Sequence, residues 1–147
     1  MFAFGAEKIR NEVILAARVM LVLLFVIFGW SKLTNYDGTV SYMAMTGAPV
    51  PQISAAIAIA VEFFVGIALL LGIFTRPLAL AMASYTLATA IIGHHYWTMS
   101  GAEQLANETN FYKNVSIMGG FLLLYITGAG RYSLDATFGE KSPRVTA

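Results

Sequence analysis

No cysteine occurs anywhere in the 147 residues. That absence excludes a thiolate nucleophile, a disulfide relay and any cysteine-held metal or persulfide within the chain. Charge is scarce as well. Asp, Glu, Lys and Arg together make up 12% of the residues, against about 25% in an ordinary soluble domain. The formal net charge of +1 supplies no basic field for nucleic acid. With no cysteine and few carboxylates, the residue set points away from a metal site.

What is present is apolar sequence. Hydrophobic residues make up 58% of the chain, and the mean hydropathy is +0.70. Several runs approach the roughly 20 residues that cross a bilayer as a helix. The expected fold is all-α: an integral membrane bundle of four transmembrane helices in one domain, 1–147. The spans fall at about 13–33, 53–74, 77–97 and 113–130, with a short soluble tail at 131–147. No small-residue cleavage site follows the first run, so it reads as a retained span.

The connections carry helix punctuation. In "TNYDGTVSYMAMTGAPVP", Asn35 or Asp37 is placed to cap a short helix that ends at Gly47, before Pro49 and Pro51. Its Val40, Met43 and Ala44 are expected on the membrane surface. "GIFTRP", at 72–77, makes a tight hairpin, with Pro77 in the first turn of the next helix. "GHHYWTMSGAEQLANETNFYKN" reads as a polar connection with aromatics at both ends, suited to an interfacial belt. Lys8, Arg10, Arg76, Arg131, Lys141 and Arg144 would lie on one side of the membrane and only Lys32 and Lys113 on the other. That bias favours both termini in the cytoplasm.

Glu62 stands in the middle of the second run. A carboxylate in hydrocarbon is either protonated or paired, and such residues are functional candidates by default. At 1.5 Å per residue, Glu62 lies roughly 21 Å above the level of Arg76 and Arg131, and His94, Lys113 and Asn114 at roughly 26–27 Å. Lys32 closes the first span at the same outer side. Along that span Arg18, Phe25, Gly29 and Lys32 share one face. Taken singly, Lys32 and Lys113 read as snorkelling anchors. His94 and His95 read as interfacial polar residues, and Arg18 and Arg76 as phosphate-facing anchors. Taken together, Lys32, Glu62, His94, Lys113 and Asn114 form a polar layer from four helices in the outer third of the bundle. Such a layer suits a quinone head group. Lys32, Lys113 and Asn114 would hold its oxygens, and Glu62 and His94 would move protons. The same set equally suits a closed salt-bridge network that ties the helices together.

The order of these pieces resembles the DoxX family of small four-helix membrane proteins. The resemblance rests on Arg18, "FGWSKL" at 28–33, Glu62 with Gly66, "GIFTRP" at 72–77, His94 with Trp97, "KN" at 113–114 and "GRYSLD" at 130–135. It implies a multi-pass protein of the bacterial inner membrane with a redox association. The family includes the membrane subunits of a thiosulfate:quinone oxidoreductase, and other members partner redox or sulfur-handling proteins. The lack of cysteine argues against covalent sulfur chemistry here. Three readings stay open: a quinone-linked oxidoreductase component with a redox partner, a non-catalytic membrane subunit or scaffold, and a small permeation path for a weak acid. The last has little polarity to work with below Glu62 beyond Tyr85, Thr86 and Thr89. Self-association into a homo-oligomer is compatible with each.

Overall fold

The computed structural model describes residue 5 and residues 7–139. Among these residues all regular structure is helical. Helix α1 spans Arg10–Thr34 and α2 spans Tyr36–Met45. A continuous rod then runs from Pro51 to Leu71, made of α3 (Pro51–Ile59), a π-helical segment (Ala60–Val65) and α4 (Gly66–Leu71). Helix α5 covers Thr75–Gly93, a 3₁₀ turn covers Tyr96–Thr98, α6 covers Gly101–Thr127 and α7 covers Leu134–Thr137.

Three helical stretches are long and apolar enough to cross a membrane: Arg10–Thr34, Pro51–Leu71 and Thr75–Thr98. They match the first three expected spans to within a few residues. Helix α6 corrects the fourth. The polar connection expected up to residue 112 is helical from Gly101, and the helix continues without a break to Thr127. Its polar first half keeps it out of the set of apolar crossers. The aromatic side chains of the turn dock on it. Tyr96 and Trp97 lie 5.6 and 5.9 Å from the Phe111 ring, contacts that add to burial. Arg76 at the start of α5 reaches Tyr125 near the end of α6, so the two helices run antiparallel along their lengths.

The core follows from the α1 face foreseen above. Arg18, Val22, Phe25 and Gly29 are the buried residues of α1. Val22 and Phe25 pack with Leu69, Ala79, Met82, Ala83, Phe121 and Leu124, and the Phe25 and Phe121 rings lie 5.4 Å apart. Gly29 permits the closest helix approach. A Cβ there would fall 2.6 Å from the backbone nitrogen of Phe63, so only glycine fits at this crossing. Large apolar residues such as Met20, Ile27, Phe64, Leu123 and Ile126 face outward, as a lipid-facing surface requires.

Local signals set the breaks. Asn35 accepts a hydrogen bond from Gly38 N at 3.3 Å and caps α2, the role its residue type suggests. Gly72 ends α4 in the left-handed region at φ 71. Asp135 then caps the next helix from a distance. Its Oδ1 accepts from Phe74 N at 2.8 Å and its Oδ2 from Thr75 N at 2.9 Å.

The expected soluble tail divides. Residues 131–139 are docked on the bundle rather than free of it, through Asp135 and through Arg18. Residues 140–147, with Lys141 and Arg144, lie outside the described residues.

Arg18 is the second correction. It is 2% exposed and does not face lipid phosphates. Its Nη1 donates to Ala129 O at 2.5 Å and its Nη2 to Tyr132 O at 2.6 Å. The chain after α6 turns back and offers carbonyls that have no helical partner, and the guanidinium fork fills that need.

Candidate functional site

The π-helical segment carries Glu62. A π turn widens the helix by one residue and re-aims the side chains within it. Glu62 is 8% exposed, yet both carboxylate oxygens are satisfied. Lys32 Nζ donates to Oε2 at 2.6 Å and the Tyr85 hydroxyl donates to Oε1 at 2.6 Å. One carboxylate therefore links α1, the second rod and α5. Lys32 keeps about a fifth of its side chain accessible (22%), and its ammonium lies 5.8 Å from the Phe28 ring centroid. A lysine at the end of an apolar run is thus turned into the bundle. The reason is the carboxylate opposite it.

This trio lies at the wall of a cavity of about 460 Å³. Lys32, Glu62, His94, Lys113 and Asn114 all line it, together with Tyr85. Four helical elements contribute, as the depth argument expects. Apolar walls come from Leu24, Phe25, Phe28, Ile57 and Ile92. Helix α2 and the loop after it close one side through Tyr42, Met43, Thr46 and Pro49. Met43, expected on the membrane surface, faces the cavity instead. The sequence places it on a short helix but gives no sign that this helix folds back over the site.

The five residues are not one bonded network. His94 Nδ1 lies 3.0 Å from Asn107 Oδ1. With the amide oxygen accepting, Nδ1 carries the hydrogen and Nε2 keeps its lone pair. Lys113 donates to Asn110 at 2.8 Å, on its own helix. His95 points elsewhere, with Nδ1 2.8 Å from Ile92 O. Asn107 and Tyr42 are side chains that the sequence does not point to, and Tyr85, visible only as stray polarity, bonds Glu62 directly. A hydroxyl one helix away from a carboxylate carries no spacing signature, and Asn107 sits in a stretch that reads as loop.

Arg76 stands at the other end of the bundle. Its Nη1 donates to Tyr125 O at 3.2 Å. The pieces of sequence singled out above therefore gather at two ends. Arg18, "GIFTRP" and "GRYSLD" interlock at the end where α1 begins. "FGWSKL", Glu62, His94 and "KN" surround the cavity at the end where α1 finishes.

Comparison with known proteins shows the family. The DoxX family profile matches residues 13–95. Inner membrane protein YphA of Escherichia coli K12 is 54% identical over 134 residues, covering 91% of this chain and 94% of that protein. Inner membrane protein YqjF of the same organism is 41% identical over 135 residues, covering 92% of this chain and 98% of that protein. The ER-derived vesicles protein ERV29 of Saccharomyces cerevisiae is 29% identical over 129 residues, covering 88% of this chain and 34% of that protein. No solved structure matches the chain. The chain belongs to the DoxX family, and with its apolar helices it is a multi-pass protein of the bacterial inner membrane.

Proposed function

We propose that this DoxX-family protein binds a quinone, or a similar small ring compound with carbonyl oxygens, in the cavity beside Glu62. In this reading α6 is the fourth span, both termini are cytoplasmic and the cavity opens in the outer third of the membrane. The observation that carries the proposal is the convergence of Lys32, Glu62, Tyr85, His94, Lys113 and Asn114 on one apolar-walled space.

The residues present fit such a ligand. A ring can lie against Phe25 and Phe28 while ammonium, amide and hydroxyl donors reach its oxygens. A bound quinone supplies the capacity to accept two electrons with two protons. Lys32 and Lys113 orient its oxygens and balance negative charge. Tyr85 and Lys32 share their hydrogens with Glu62, so the carboxylate can receive or return a proton without leaving the trio. The lone pair on His94 Nε2 gives a second proton-handling atom. Electrons would come from a partner redox protein.

Quinone binding to the purified protein, measured by equilibrium titration in detergent, tests this. Wild type is expected to saturate, and Glu62→Gln to bind on the order of tenfold more weakly, because the charge-assisted hydrogen bond that aims the Lys32 ammonium at a ligand oxygen is lost. Absence of binding in both overturns the reading.

One observation favours a second reading, that of a non-catalytic scaffold for a redox partner. Both oxygens of Glu62 are already satisfied within the chain, so the trio holds three helices together without any ligand. In that case the loss of stability in Glu62→Gln comes with no change in quinone binding. If Lys32→Met leaves the fold stable but abolishes activity in cells, the scaffold reading fails.

A further inference from the structure

A second cavity, of about 410 Å³, lies at the opposite end of the bundle, where α1 and α5 begin and α6 ends. We propose that it binds an anion bearing a phosphate group. Among the described residues three arginines line it: Arg10 from α1, Arg76 from α5 and Arg131 from the segment after α6. Among its described lining residues the one carboxylate is Asp135. Both oxygens of Asp135 are occupied by the backbone nitrogens of Phe74 and Thr75. Glu12, on the first turn of α1, accepts the Tyr132 hydroxyl at 2.9 Å and does not line the cavity. Among the described residues the salt bridge is Lys32–Glu62, so none of the three arginines has an acidic partner within salt-bridge distance. The wall that carries Arg131 is fixed, because Arg131 N donates to Asn11 Oδ1 at 3.0 Å.

Three like charges around one space repel one another until an anion enters. Guanidinium presents paired N–H donors that match the spacing of phosphate oxygens, and charge-assisted pairs of this kind are the strong ones. Arg76 commits only Nη1, to Tyr125 O, and holds further donors for a ligand. Arg10 and Arg131 are exposed at the mouth, so an anion can reach them from water or from a headgroup layer. The phosphate has two sources with the same chemistry: the headgroup of an acidic phospholipid, or a soluble phosphate.

The test uses the purified full-length chain in an uncharged detergent, with thermal stability and native mass spectrometry as readouts. One arm adds phosphatidylglycerol. The other adds inorganic phosphate or glycerol 3-phosphate against sodium chloride at equal ionic strength. A saturable response in either arm is expected, and which arm responds identifies the source. Arg10→Gln and Arg131→Gln, both at exposed positions, are expected to weaken it on the order of tenfold each. Lys8→Gln, exposed and outside the cavity, is expected to leave it unchanged. No saturable response in either arm overturns the proposal. So does an equal loss in Lys8→Gln, which would mean diffuse surface charge rather than a site.

Discussion

Glu62 is held by two hydrogens from two other helices, one on an ammonium and one on a phenol. Removing one partner of such a group leaves the other without compensation, whereas removing both can be nearly neutral. Glu62→Gln and Lys32→Met are therefore expected to destabilise singly and to recover in combination. The coupling should be about 1–2 kcal/mol, since polar contacts inside membranes give smaller energies than burial alone suggests. Unfolding of the single and double variants in detergent measures it, and strict additivity would mean the pair contributes nothing. The two charges were legible in the sequence because each breaks an apolar run. Tyr85 was not, because a phenol in an apolar helix needs no partner to be tolerated there. Arg18 was visible as a charge, but its partners are the carbonyls of Ala129 and Tyr132. Backbone carbonyls leave no mark on a sequence.

At the scale of the element, the π-helical segment and Gly29 act as a unit. The widened turn brings Phe63 and Glu62 backbone against α1 where α1 has no side chain. Gly29→Ala forces a methyl group to within 2.6 Å of Phe63 N. The rods must separate, at a cost of about 1–3 kcal/mol by analogy with overpacked cores. Gly93 is the control, because a Cβ there meets nothing within 4 Å, and Gly93→Ala should stay within about 1 kcal/mol of wild type. Thermal midpoints of the two variants decide it, and equal midpoints would show that the close crossing is slack. The helix breaks at Asn35, Pro51 and Gly72 could be read from residue types alone. The π turn could not, because no residue in "AVEFFV" demands it. The start of α6 at Gly101 is not legible, because a polar stretch reads equally as loop or as exposed helix. A helix beyond the apolar layer is free to be polar.

For the whole molecule, the bundle has a polar cavity at one end and a basic one at the other, separated by the Val22, Phe25, Leu69 and Phe121 core. The natural lack of cysteine makes its topology directly testable. Ser100→Cys and Thr137→Cys, both at exposed positions, are expected to react with an impermeant maleimide from opposite faces of sealed membranes. Labelling of both from one face would remove α6 as a fourth span. The membrane class and the family followed from apolar run length and motif order. Helix rise alone brings Lys32, Glu62, His94, Lys113 and Asn114 to one level, and all five line one cavity. Where the chain doubles back is not legible in this way, as α2 over the cavity shows. The Arg18 contacts have a further consequence for biogenesis. The arginine leaves the ribosome with the first helix, but its carbonyl partners follow 111 and 114 residues later. The clasp at Arg18 therefore closes late, together with the Asp135 cap at Thr75, after all the long helices have been made.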